Sequence, residues 1–137
     1  MRDLDVTATD ATDFRVEEEC PRPGLVIVAV HGDLDLHSAG ELGDRLVGVV
    51  DRGAASLVVD LSGVPFVDSQ GLGALLRGTR RFGSGKEHFR LVVPAPEVRR
   101  LFELTALDQV FPLDRTRDEA LAHAAVSDGL PRGTTNG

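Results

Sequence analysis

Short apolar runs that alternate with helical patterns constrain the fold of this chain more than any other feature. The runs cover residues 25–30, 56–61 and 89–93. Each has about the length of a buried β-strand and is well short of a core helix. Residues 72–82 carry apolar side chains at a helical period of 3.6. Strands alternating with helices predict an α/β domain, with a mixed sheet of four or five strands flanked by about four helices.

Turn residues predict where the outer strands begin and end. A first strand starts near Phe14 and is expected to reach a turn at residues 21–24, which hold two prolines and a glycine. A short strand at 110–113 contains Pro112, which cannot donate to a ladder and therefore belongs at the edge of a sheet. The strand at 25–30 is apolar at successive positions, as expected for an inner strand that is covered on both faces or at least well buried.

Two sequence positions have the spacing of a capping box at the start of a helix. Ser38 is followed by Glu41, and Thr116 is followed by Glu119. In such a box the hydroxyl and the carboxylate each satisfy one backbone N–H group that the helix leaves unpaired. Helices are therefore predicted to begin at both positions.

The predicted elements form one domain at residues 13–126. Residues 1–12 are rich in Asp and Thr with little to bury, and 127–137 are rich in Gly, Pro and Thr. Both terminal segments are expected to be flexible.

The charge balance and the single cysteine limit the classes of function. The chain has 15 basic and 22 acidic residues, for a formal charge of −7. This balance argues against nucleic acid as a main partner and against a polybasic membrane surface. The longest apolar run is far shorter than the ~20 residues that cross a bilayer. Cys20 has no partner for an intramolecular disulfide, so a cytoplasmic protein is expected.

Residues 64–73 are the most unusual segment, since an apolar run stops at a carboxylate, a hydroxyl and two glycines. Ser69 is predicted to lie where a strand turns into a helix, beside unpaired N–H groups and the positive end of the helix dipole. Asp68 and Ser69 are both favoured N-cap residues. Gly71 and Gly73 each cost about 1 kcal/mol in a helix. Either tight packing on a strand or close approach by another protein would explain them.

Several other readings of these residues are weaker. The four histidines are dispersed, so no metal site and no cofactor are expected, and the polar cluster at 31–37 is explained by loop solvation. A serine hydrolase would combine Ser69 with Asp35 or Asp68 and with His31 or His37, but the Gly-x-Ser-x-Gly motif is missing. Weak nucleotide binding is a third possibility, but the segment with Gly71 and Gly73 lacks the lysine of a Walker motif. No enzyme activity is expected.

Three segments resemble STAS domains of the anti-sigma factor antagonist type. Residues 59–73, with the sequence Val-Asp-Leu-Ser-Gly-Val-Pro-Phe-Val-Asp-Ser-Gln-Gly-Leu-Gly, are similar to the family signature in order and spacing. Residues 32–39 resemble its strand-to-helix motif, and 98–107 resemble its third-helix motif. The resemblance covers about residues 13–125 and implies the STAS fold, a small mixed sheet flanked by helices.

The resemblance also implies a switch. In such proteins the unphosphorylated form binds an anti-sigma factor, commonly a serine kinase, and thereby frees a sigma factor for transcription. Phosphorylation ends the binding, and a serine phosphatase restores it. Ser69 has the phosphoacceptor position. The implied partner-binding residues are Asp35, Ser38, Asp68, Ser69, Gln70, Gly71, Leu72 and Gly73.

Gln70 departs from the family pattern, which usually has Ser or Thr directly after the acceptor. A constitutive STAS interaction module, in which Gln70 marks the loss of phosphorylation, is therefore an alternative. If Ser69 is modified, the phosphoryl group adds a charge of about −1.5 to −2 at a helix N-terminus, where the dipole and free N–H groups favour anions. The fold is expected to survive, whereas a docked interface beside Asp35 and Asp68 would be destabilised.

Overall fold

A computed structural model describes residues 14–83 and 88–129, which form five strands and four α-helices. The strands are β1 (Arg15–Arg22), β2 (Leu25–His31), β3 (Ser56–Gly63), β4 (Phe89–Val92) and β5 (Leu113–Asp114). The helices are α1 (Ala39–Asp51), α2 (Ser69–Phe82), α3 (Pro96–Leu104) and α4 (Arg117–Gly129), with a 3-10 turn at Leu107–Gln109. The predicted terminal segment 1–12 lies outside the described residues, as do residues 130–137.

The five strands form one mixed sheet in the order β1-β2-β3-β4-β5. β1 is antiparallel to β2, and the remaining neighbours are parallel. Each parallel pair is connected by a helix, as such pairs require. The predicted fold class is confirmed, including the inner place of β2 and the edge position of the last strand.

Helices cover both faces of the sheet. On one face the main core includes Val28, Val59, Leu46 of α1, Leu75 of α2 and Phe102 of α3. On the other face a smaller cluster joins alternate strand residues to α4, namely Leu25, Ile27, Val58, Val92, Ala120 and Ala124. The apolar character of β2 on both faces follows directly, since Val28 and Ile27 point to different clusters.

Two strand boundaries differ from the prediction. The predicted turn at 21–24 is shorter, because β1 continues through Pro21 to Arg22. The register between β1 and β2 shifts between Glu19 and Arg22, and a proline is tolerated at such an irregularity in an edge strand. The predicted edge strand at 110–113 is displaced, since β5 covers Leu113–Asp114 and the backbone oxygen of Pro112 accepts a hydrogen bond from Leu91 N at 2.9 Å.

Both ends of α4 also differ from the prediction. α4 runs to Gly129, three residues beyond the predicted limit of the domain at residue 126. At its start, Thr116 Oγ1 accepts from Glu119 N at 3.0 Å, but the Glu119 carboxylate accepts from Arg115 N instead of closing the box on Thr116. Within the described ranges, no helix is long and apolar enough to span a membrane.

Candidate functional site

Two loops that follow neighbouring parallel strands are hydrogen-bonded to each other at one edge of the sheet. Beyond the ends of β2 and β3, Gly32 N donates to Gly63 O at 3.0 Å and Leu34 N donates to Phe66 O at 2.9 Å. Asp68 N then donates to Leu34 O at 3.1 Å. These bonds continue the pairing of the strands into residues 32–38 and 63–68. The predicted site residues of the two segments are thereby brought to the same edge.

Asp68 is the N-cap of α2. Its backbone is extended, and its Oδ1 accepts hydrogen bonds from Gln70 N at 2.9 Å and from Gly71 N at 3.0 Å. The sequence left the N-cap open between Asp68 and Ser69, and the structure places Asp68 there. The N–H groups of Gln70 and Gly71, which were expected to be free for an anion, therefore already have a carboxylate partner.

Ser69 is the first residue of α2 and is exposed to solvent. Among the residues that the structure describes, no hydrogen bond involves its hydroxyl. Because Asp68 caps the helix, the Ser69 side chain is not needed for that purpose. The hydroxyl is accessible at the start of the helix.

Asp35 and Ser38 order the loop between β2 and α1. Asp35 Oδ1 accepts from His37 N at 2.9 Å, and Ser38 Oγ accepts from Asp35 N at 2.9 Å while it donates to Asp33 O at 2.7 Å. Ser38 is the N-cap of α1 by position, but its side chain caps no helical N–H group. The predicted capping box of Ser38 and Glu41 is therefore wrong. Ser38 is buried, so its hydroxyl holds the loop together and offers little surface to a partner.

The two glycines of α2 have different surroundings. A Cβ atom at Gly71 would lie 2.5 Å from Leu34 O and 2.7 Å from Leu34 Cγ. A Cβ atom at Gly73 would meet nothing within 4 Å. Tight packing thus explains Gly71, while Gly73 is exposed and open to approach. Leu72 is 7% exposed and lies in the core, so among residues 70–73 only Gln70 and Gly73 present surface.

Two exposed apolar side chains in these loops were missed by the sequence reasoning. Leu36 is 65% exposed and Phe66 is 50% exposed. Their loops are joined by the hydrogen bond between Leu34 and Phe66. The available signal was a large apolar residue outside any periodic pattern, between a strand and a helix cap.

His31 and His37 are the candidate bases for a hydrolase that would use Ser69. His31 Nε2 lies 3.4 Å from Glu17 Oε1 on the neighbouring strand, and His37 bonds to Asp35 through its backbone. The hydrogen bond from Arg15 lowers the pKa of Glu17, and the nearby His31 acts in the same direction. No group of three or more potential metal ligands occurs in the described ranges.

The five-stranded mixed sheet and the helices that cover it have the architecture of a known domain family. Residues 19–120 match the family model of the STAS domain. The chain belongs to this family, and more particularly to its anti-sigma factor antagonist branch.

A relative and a solved structure that are each more than 30% identical are anti-sigma factor antagonists. The anti-sigma-F factor antagonist RsfB of Mycobacterium tuberculosis is 33% identical over 98 residues, which are 72% of this chain and 80% of that protein. The structure of an anti-sigma factor antagonist from Mycobacterium paratuberculosis is 36% identical, with a TM-score of 0.73 over 81% of this chain and 93% of that one. The anti-sigma factor antagonist SpoIIAA in its unphosphorylated form shares the fold, with a TM-score of 0.68 over 85% of this chain and 98% of that one at 24% identity.

Proposed function

We propose that this protein is a cytoplasmic anti-sigma factor antagonist whose binding is switched at Ser69. With Ser69 unmodified it binds an anti-sigma factor that is itself a serine kinase, and so releases a sigma factor. Phosphorylation of Ser69 ends the binding, and a serine phosphatase restores it. The protein acts by binding and carries out no catalysis of its own. The observation that carries the proposal is the exposed Ser69 hydroxyl at the start of a helix that Asp68 already caps.

The charges around Ser69 explain how phosphorylation would end binding. Asp68 Oδ1 occupies the N–H groups of Gln70 and Gly71, so an added phosphoryl group would lie beside a carboxylate without these amides to compensate it. Asp35 stands on the adjacent loop. A charge of about −1.5 to −2 buried there against a partner would be unpaired. A penalty of about 3 kcal/mol weakens binding more than a hundredfold.

The first test is binding of variants at Ser69. Candidate anti-sigma factors of the source organism are purified one by one and titrated against the labelled chain, and the tightest binder serves as the probe. Ser69→Asp is expected to weaken binding at least a hundredfold, whereas Ser69→Ala retains it within a few-fold. Equal binding by Ser69→Asp and the wild-type chain would contradict the proposal.

The second test locates the modification. Incubation of the probe and ATP with the chain is expected to add one phosphoryl group, on Ser69. Ser69→Ala should not be labelled. Label retained by that variant would move the site elsewhere.

Gln70 favours one other function, a constitutive STAS interaction module. Its amide replaces the hydroxyl usual after the acceptor, and its side chain is exposed beside Ser69. A probe that binds the chain but never labels it, even in Gln70→Ser, would support this module instead. Phosphorylation of Ser69 that appears only in Gln70→Ser would show that Gln70 is the cause of the lost phosphorylation.

A further inference from the structure

Two of the three large hydrophobic side chains that are exposed in the described part of the chain lie in the two loops that are hydrogen-bonded to each other before α2. Leu36 and Phe66 are 65% and 50% exposed, and the third, Leu104, is at the end of α3. A single exposed apolar residue is ordinary on a protein surface. Two exposed apolar residues on loops that are hydrogen-bonded to each other are less ordinary, and clustered exposed apolar side chains are typical of a docking site.

The same loops carry only negative charge. Residues 32–38 and 63–70 contain three aspartates, Asp33, Asp35 and Asp68, and no lysine or arginine. Asp33 is exposed, and its side chain makes none of the hydrogen bonds described for these loops. The Oδ1 atoms of Asp35 and Asp68 accept hydrogen bonds from backbone N–H groups. We call Asp33, Asp35, Leu36, Phe66 and Asp68 the acidic–apolar surface.

We infer that Leu36 and Phe66 anchor the partner, and that the partner's complementary surface is an apolar pocket rimmed by lysine and arginine. This inference rests on the proposed function and specifies the surface of the anti-sigma factor that would be recognised. A second copy of this chain is a poor occupant, because two-fold contact would set three aspartates against three more. A phosphoryl group on Ser69 would add to the same charge, so one modification opposes contact over the whole surface.

The division of labour between the two kinds of residue follows from physical chemistry. Buried aromatic and aliphatic anchors at the centre of an interface carry most of the affinity. Charges at the rim mainly steer association and are screened by salt. Phe66 and Leu36 are therefore expected to govern dissociation, and Asp33 to govern the association rate.

Leu104 and Asp108 provide matched controls. β5 is parallel to β4, so the segment that joins the end of α3 to β5 lies at the amino-terminal ends of these strands. Ser69 follows the carboxyl-terminal end of β3, at the opposite end of the sheet. Leu104 is 70% exposed, and Asp108 is exposed like Asp33. Leu104→Ser and Asp108→Asn make the same chemical changes as the test variants but leave the acidic–apolar surface intact.

The test measures binding of these variants to the anti-sigma factor identified as the tightest binder of the wild-type chain. Phe66→Ser is expected to weaken binding about 30-fold and Leu36→Ser about tenfold, mainly through faster dissociation. Leu104→Ser should stay within about twofold. Asp33→Asn should slow association several-fold at low salt and reduce its salt dependence, whereas Asp108→Asn should not. Unfolding in urea checks that each variant folds. If Phe66→Ser does not fold, the binding of Leu36→Ser alone tests the inference.

The outcomes separate this inference from the proposed function. If the probe binds, is released by Ser69→Asp and yet binds Leu36→Ser and Phe66→Ser within twofold, the inference is overturned while the proposed function stands. If no anti-sigma factor binds the wild-type chain, both are overturned. Self-association of the wild-type chain that Phe66→Ser abolishes, seen by sedimentation, would make this surface a homodimer interface and would also overturn the inference.

Discussion

Gly71 and Gly73 are two residues apart in the first turns of α2, yet they serve different purposes. Gly71 lies against Leu34, in the loop that carries Asp35, and leaves no room for a side chain. It allows α2 to approach this loop closely enough for Asp68 N to bond to Leu34 O. Gly73 faces open space. The pattern of two glycines therefore combines a packing requirement with an exposed surface.

Alanine at the two positions should have opposite effects on stability. Gly71→Ala places a Cβ atom 2.5 Å from Leu34 O and is expected to lower the free energy of unfolding by about 1–3 kcal/mol. Gly73→Ala should raise it by up to about 1 kcal/mol, because alanine is the better helix former and meets no neighbour. Urea unfolding of both variants is the measurement. A Gly71→Ala variant as stable as Gly73→Ala would refute the close approach of α2 to Leu34.

At the scale of elements, α4 is held to the sheet by an arginine at its first turn as well as by alanines. Arg117 Nη2 lies 2.9 Å from Asp60 Oδ2 of β3, and Nη1 lies 2.9 Å from Glu19 Oε2 of β1. The hydrogen bond with Glu19 and, to a smaller extent, the one with Asp60 raise the pKa of Arg117, while burial opposes them. Asp60 is buried and also accepts from Ser62 N at 2.9 Å.

Removal of this arginine should cost more than removal of one at the surface. Arg117→Ala leaves the buried Asp60 carboxylate with fewer donors and is expected to lower the free energy of unfolding by about 2 kcal/mol. Arg81→Ala breaks the exposed pair with Asp51, whose N–O distance is 2.7 Å, and should lower the free energy of unfolding much less than Arg117→Ala does, because water screens an exposed pair. Thermal or urea unfolding of the two variants compares them, and equal losses would mean that the burial of Asp60 adds nothing.

At the scale of the whole molecule, the proposed modification site lies at the surface, outside the core. Ser69 is exposed, and its hydroxyl takes part in no hydrogen bond of the described residues. A negative charge there is expected to change partner binding without changing the fold. Release would then need no large rearrangement of the protein.

The phosphomimetic variant tests this expectation. Ser69→Asp should keep the free energy of unfolding within about 0.5 kcal/mol of the wild-type value, as for most surface substitutions. Amide chemical shifts should change only in the loops at 32–38 and 63–68 and in the first turns of α2. Shift changes that extend to α4 or β5 would instead indicate a conformational switch through the sheet.

Sequence patterns predicted the order of strands and helices because each depends on local periodicity, and β2 read correctly as a strand buried on both faces. They failed where side chains had competing partners. Ser38 has the spacing of a capping residue, but its hydroxyl bonds to Asp33 O and Asp35 N across the loop. Asp35 and Asp68 of the acidic–apolar surface were predicted as partner-binding residues, but its apolar members were missed, because the exposure of Leu36 and Phe66 depends on how two distant loops pair.

In the proposed switch, the cap formed by Asp68 would affect how long Ser69 stays phosphorylated. Since this carboxylate already takes the N–H groups of Gln70 and Gly71, α2 would not clasp a phosphoryl group on Ser69. The group would stand in solvent, within easy reach of a phosphatase. The fold would then not protect the phosphoryl group, and the lifetime of phosphorylated Ser69 would be set by the cell's balance of kinase and phosphatase.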